Sequence, residues 1–436
     1  MRKIIIVILA IVCISLFACR ADISTSQPQD EDSVVKTISE EDIRYEHWSE
    51  DIDILGDALK MYQVDYKEYY TENELDEYLE MLKSKIDDST DNEMVFELKK
   101  LVASFDDSHS YIPLPLDYLS HQLPMKFTFI DGSLHCVNAS SDYESVLYSK
   151  ILKFGDYDVN YVVNKLLDYS NSENEYGRRH GTLTGLRLMD VLTTLGFTSS
   201  NEFVTITFED PETKKEKSID VMYETLSEDK GVEYLKSGMI STHVSGLDNY
   251  FEKPFWYEYD PSNKLFVFTV VRWIEFEKGD FRAFFKDMWD FVDNHDVETF
   301  VMDVRYNSGG YTEFVHMFRK GALARKDIFN PDNFYVFTGN DTNSCGVISA
   351  ADMMRYNLAT IVGEPTRGAP NTRHSGIHTQ LKHSGLELFL SSGMTSGYPG
   401  YDYETLIPDV MIERNLKDYM SETDPLIEFV IKESKL

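Results

Sequence analysis

The residues best suited to chemistry lie between Asp303 and Asp409, and they centre on Ser344. Asp303-Val304-Arg305-Tyr306-Asn307-Ser308-Gly309-Gly310 closes the apolar run Thr299-Phe300-Val301-Met302. A glycine pair after a strand lets backbone N–H groups come close to a ligand. Thr342-Asn343-Ser344-Cys345-Gly346 falls between the strand-like Asn333-Phe334-Tyr335-Val336-Phe337 and a helical pattern from Ser349 to Asn357. A serine at such a turn can stand exposed, with the next N–H aimed at the same point. Ala359 to Val362 reads as another buried strand, running into the turn Gly363-Glu364-Pro365. These are the parts of an acyl-transfer site, apart from a base.

Other readings of the same residues compete. Ser344 could cap the helix that follows it, the commonest role for a serine there. Cys345 is an alternative nucleophile. Asp303 and Arg305 could pair to hold the strand end, and Glu364 could cap a turn. His374 and His378 are four apart, a metal-ligand spacing on a helix. Gly376 between them and the lack of a third ligand favour a loop, so neither a metal nor another cofactor is expected.

The elements that must position these residues alternate strand and helix over 241–436. Leu265–Val271 and Thr299–Val304 read as strands, Val315–Leu323 as a helix, Leu386–Leu390 as a strand, and Asp424–Lys432 as the closing helix. Phe281, Phe284, Phe285, Met288, Trp289 and Val292 fall on one helix face. The alternation predicts an α/β core with helices packed over a sheet. Upstream, 41–121 reads as helical, with Leu75, Leu79, Leu82 and Ile86 in one stripe. Its last helix runs into Asp106-Asp107-Ser108-His109 before Pro113 and Pro115 stop it. A lone histidine in such a place is most often a surface residue. The region 122–240 reads as short strands with one or two helices, including a hairpin turned at Asp131-Gly132.

The whole chain narrows the function further. It has 436 residues, enough for two or three domains, and a formal net charge of -33. So acidic a surface repels phosphate backbones, which argues against nucleic-acid partners. Arg2 and Lys3 precede the apolar run Ile4–Phe17, and Ala18-Cys19 follows. This is the layout of a secretory signal peptide. A cysteine directly after a small residue resembles the lipobox of bacterial lipoproteins, in which Cys19 would carry the lipid. The expectation is a signal over 1–18, a flexible tether over 19–40, and a body held outside the cytoplasm in a bacterial cell envelope. Cys136 and Cys345 remain, too few for a disulfide framework.

Asp303-x-Arg305-x-Asn307-x-Gly309-Gly310, Ser344 with its helix, Val362-Gly363-Glu364-Pro365-Thr366 and Pro408-Asp409 together resemble a serine peptidase family. It includes the C-terminal-processing (tail-specific) proteases and the tricorn core protease. The resemblance covers about residues 41–436. It implies a crotonase/ClpP-like α/β protease core over 241–436, a PDZ-like domain over 122–240 and an N-terminal helical domain over 41–121. The tail-specific branch has a lysine where this chain has Ala369. The tricorn-like branch uses histidine preceded by serine, which matches Ser108-His109, and a late acid, here Glu404 or Asp402. The resemblance therefore implies Ser344 as nucleophile and His109 as base, with Ser108 and the late acid holding the imidazole. Gly310 and Cys345 would donate their backbone N–H groups to an oxyanion, with Gly309 keeping the approach open. The substrate would be a polypeptide. The runner-up is a catalytically silent lipoprotein of the same fold that binds peptides or apolar ligands.

Overall fold

Leu265–Val270, Thr299–Asp303 and Phe334–Thr338 are buried at every position. Strands apolar on both faces need cover on both, which calls for a largely parallel sheet between layers of helix. The structure, a computed structural model, has this arrangement. It describes residues 39–225, 232, 234–235, 254–275, 280–421 and 423–434. The segments 1–18 and most of the tether, with Cys19, lie outside the described residues, as does the expected boundary at 240.

Six strands form the central sheet, in the order Val410–Met411, Thr360–Gly363, Phe334–Thr338, Thr299–Asp303, Leu265–Val270 and Phe255–Asp260. Neighbours run parallel except at the edge, where Phe255–Asp260 is antiparallel to Leu265–Val270. Side chains alternate between the faces, as the strand period requires. Phe266, Phe268 and Phe300 pack with the helices Asp280–Asn294, Thr312–Leu323 and Cys345–Arg355. Leu265, Val267 and Val301 pack instead with Leu426 and Val430 of the closing helix Pro425–Glu433.

A buried ionic knot ties that helix to the sheet. Arg305 bonds Asp303 at 2.6 Å and Asp424 at 2.8 Å. Asp424 also caps the helix by accepting the Leu426 N–H at 3.1 Å. Asp303 and Arg305 do pair at the strand end, but with a third member that the sequence did not suggest.

The helices Glu72–Ser84 and Asp91–Ala103 begin at capping boxes set by Thr71 and Thr90. Together with Glu40–Tyr62 they share one core with Leu381, Leu386, Leu388 and Leu390. These leucines belong to or flank the hairpin of Asn371–Gln380 with Glu387–Ser396. The helical region thus completes its core with a hairpin inserted late in the chain. His374 and His378 lie in the first strand of this hairpin rather than in a loop, beside Thr395 and Glu387 respectively.

The region expected to be PDZ-like is a small antiparallel sheet. Met125–Ile130, Ser133–Ala139, Lys150–Phe154, Phe203–Glu209 and Glu216–Met222 pair in that order. Helix Val159–Leu167 packs its apolar face on it through Val162, Val163 and Leu166. The first turn is at Asp131-Gly132, both with positive φ (48° and 73°), as a two-residue hairpin turn demands.

Candidate active site

Three short connections meet at Ser344. Its own backbone has φ 50° and ψ −122°, a strained conformation for a residue with a Cβ. Neighbouring hydrogen bonds enforce it. Asn343 N–H donates to the Asn307 carbonyl at 2.8 Å, and Gly346 N–H to the Asn343 carbonyl at 2.9 Å. Thr342 Oγ1 donates to the Val304 carbonyl at 2.9 Å and accepts from Gly339 N–H at 3.0 Å. The strain lifts the serine side chain away from its helix, so Ser344 makes no capping hydrogen bond. Its Oγ lies 3.2 Å from His109 Nε2 instead.

His109 is held from behind. Asp107 Oδ1 accepts the His109 backbone N–H at 2.9 Å, and Asp107 Oδ2 accepts from Ser110 Oγ at 2.5 Å and Gln63 Nε2 at 3.2 Å. Tyr111 pairs with Phe389 of the hairpin through two backbone bonds, of 2.9 Å and 3.0 Å. The hairpin therefore carries His109 to Ser344 across a long stretch of sequence.

Ser108 Oγ lies 3.2 Å from His109 Nδ1 and donates to Glu173 Oε1 at 3.0 Å. Thr372 Oγ1 donates to the same carboxylate oxygen at 3.1 Å. These contacts fix the proton directions. Ser108 has one hydroxyl hydrogen, and an ionised carboxylate only accepts. With that hydrogen given to Glu173, Ser108 accepts from His109 Nδ1–H. His109 Nε2 is then the acceptor for the Ser344 hydroxyl, the tautomer a general base requires.

The carboxylate in this line is Glu173, not Glu404 or Asp402. Both late acids have exposed side chains. Glu404 contributes its backbone carbonyl, which accepts from Asn174 Nδ2 at 2.7 Å. Asn174 also reaches the carbonyls of Thr366 and Arg367, at 3.3 Å and 2.9 Å, and so anchors the loop carrying Glu173. The only hint of this in the sequence is a polar stretch, Ser172-Glu173-Asn174, with nothing in its spacing to link it to His109.

Gly309 and Gly310 both have positive φ, of 122° and 133°. A Cβ on Gly309 would lie 2.9 Å from Ser344 Cβ and 3.1 Å from its Oγ. Gly309 N–H is already used, donating to Asn307 Oδ1 at 2.9 Å. The N–H groups of Gly310 and Cys345 donate to no protein group among the described residues. Cys345 Sγ donates to the Gly310 carbonyl at 2.8 Å, and burial pushes its thiol up to about 11. A thiol so buried stays protonated at neutral pH and makes a poor nucleophile. Ala369, buried, brings no amine to the site.

Ligand atoms of Asp107, His109 and Glu173 lie within 4.8 Å of one another. The hydrogen bonds just described account for this cluster without an ion.

No protein-family profile and no curated protein sequence matches the chain. Solved structures do. Mature CPAF complexed with lactacystin aligns with a TM-score of 0.61 and 12% identity, over 90% of this chain and 98% of that one. Another structure of mature CPAF aligns with a TM-score of 0.60 and 13% identity, over 90% and 97%. A photosystem II D1 C-terminal processing protease matches more distantly, with a TM-score of 0.43 and 11% identity over 84% and 93%. The two CPAF structures establish that this chain has their α/β fold across nearly its whole described length.

Proposed function

We propose that the protein is a serine-type endopeptidase that hydrolyses polypeptides through an acyl-enzyme on Ser344. The observation that carries this reading is the hydrogen-bonded line from Ser344 through His109 and Ser108 to Glu173. Ser344 Oγ attacks the scissile carbonyl carbon as its proton passes to His109 Nε2. The carbonyl oxygen becomes an oxyanion facing the N–H groups of Gly310 and Cys345. Collapse of this intermediate breaks the C–N bond, and His109 gives the proton to the leaving amine. Water then attacks the acyl carbon, again with His109 taking a proton, and releases Ser344. Ser108 and Glu173 act on the imidazole: they hold the tautomer and favour its positive charge when it forms.

The test is hydrolysis of a quenched fluorescent polypeptide by the purified protein and by Ser344→Ala. The proposal requires turnover by the former and none above background by the latter.

The location follows from sequence alone. We propose that Cys19 carries a lipid and tethers the enzyme outside the cytoplasm. Globomycin-sensitive processing that Cys19→Ala abolishes would support the tether.

A further inference from the structure

Next to the active site is a cavity of about 290 Å³. Helix Asp91–Ala103, the segment Ser108–Leu114, helix Glu175–Gly185 and Arg367 enclose it. Its body is apolar, with Phe96, Ile112, Leu166 and Val191 in the wall. Its charged lining is of one sign. Lys99, His180 and Arg367 face it, and neither aspartate nor glutamate does. In a chain of net charge -33 this is the reverse of the prevailing surface.

His180 is engaged by Asp341, whose Oδ1 lies 2.7 Å from its Nε2. Lys99 donates to the Ile112 carbonyl and makes no ion pair among the described residues. Arg367 makes no ion pair at salt-bridge distance among the described residues, although Asp341 and Glu173 act on it from further off, and its Nε is buried without a hydrogen-bond partner. Burying a cation such as Lys99 without a counter-charge costs free energy that a bound anion would recover. An unbonded guanidinium N–H in a wall is likewise a donor waiting for an acceptor.

We propose that this cavity binds a small monoanionic carboxylate with an apolar body, its carboxylate on Lys99 and Arg367 and its body against Phe96, Leu166 and Val191. The volume suits a compact ligand: at ~30 Å³ per water it equals about ten waters. Ser108 is part of the wall, so the ligand would lie against the back of the line that orients His109.

The test uses the intact protein carrying Ser344→Ala, so binding is read independently of any peptidase activity. Octanoate and octanamide serve as probes in isothermal titration calorimetry. Octanoate should bind at one site, and octanamide about tenfold more weakly or worse. Lys99→Met should weaken octanoate by about tenfold, the equivalent of about 1.4 kcal/mol, and leave octanamide unchanged. Lys99→Arg should retain octanoate binding. Arg367→Met should act like Lys99→Met; if it does not fold by circular dichroism, the Lys99 pair decides alone. Absence of octanoate binding, equal affinity for the two probes, or an unchanged affinity in Lys99→Met would each overturn the proposal.

Discussion

Glu173 Oε1 accepts the Ser108 hydroxyl at 3.0 Å, and this one contact sets the direction of every proton in the line that ends at Ser344. Glu173→Gln gives Ser108 a partner that can donate as well as accept, so the imidazole tautomer is no longer fixed. We expect kcat to fall by roughly 10²-fold, with KM within about twofold. Glu404→Gln and Asp402→Asn, on exposed side chains, should leave both within about twofold. Steady-state kinetics on one peptide substrate measures all three. Equal losses in Glu404→Gln and Glu173→Gln would return the acid's role to the late segment.

Gly309→Ala should damage catalysis more than folding. The added Cβ meets Ser344 Cβ at 2.9 Å and Oγ at 3.1 Å, and the position has φ 122°. Displacing Ser344 should reduce kcat/KM by about 10²-fold or more. The backbone strain should cost about 1–3 kcal/mol of stability. Thermal denaturation and kinetics on the same sample separate the two effects.

Cys345 should prove chemically quiet. Its thiol is buried, bonded to the Gly310 carbonyl and held up near 11. Iodoacetamide at pH 7.5 should leave the native protein active and Cys345 unmodified by mass spectrometry. Rapid inactivation with alkylation at Cys345 would contradict this and reopen the thiol as nucleophile.

Arg305→Met leaves Asp303 and Asp424 buried without their cation. Breaking one partner out of such a knot costs about 3–5 kcal/mol, so the melting temperature should drop by several degrees. Because Asp424 caps the closing helix, hydrogen exchange should rise first over Pro425–Glu433. Exchange spread evenly over the central sheet would argue against that order.

Lys99 gives a pH signature. Burial holds its ammonium down to about 8, against 10.5 in an exposed lysine. Between those values the unfolded chain binds a proton that the folded chain has released. The contribution of Lys99 to stability therefore rises with pH across that window and is lost as pH falls through about 8. Lys99→Met lacks this term. Any gain in melting temperature that it shows at pH 7.5 should shrink by pH 10, in paired thermal scans.

Much of this architecture was legible in the residues. The buried runs Leu265–Val270 and Thr299–Asp303 predicted a sheet covered on both faces because they leave no polar side to expose. The bend at Ser344 was also legible, since a strand-like run precedes it and a helical pattern follows. Glu173 was not, because no local pattern marks a residue whose partner is reached only when the middle region packs against Ser108. The hairpin from Asn371 was half seen for a similar reason: its inner leucines fill a core begun by helices far upstream. The ionic role of Asp424 is not legible either, because a helix-capping aspartate and an ion-pairing one look alike in sequence until Arg305 packs beside it.

The most direct measurement is labelling with a fluorophosphonate, which reacts with an activated serine hydroxyl. The folded protein should take up a single phosphonyl group, located by peptide mass spectrometry on Ser344. His109→Ala should label far more slowly, and Ser344→Ala should not label at all. Well-folded protein that takes up no probe, or that labels as well in Ser344→Ala, would contradict a nucleophile at Ser344 activated by His109.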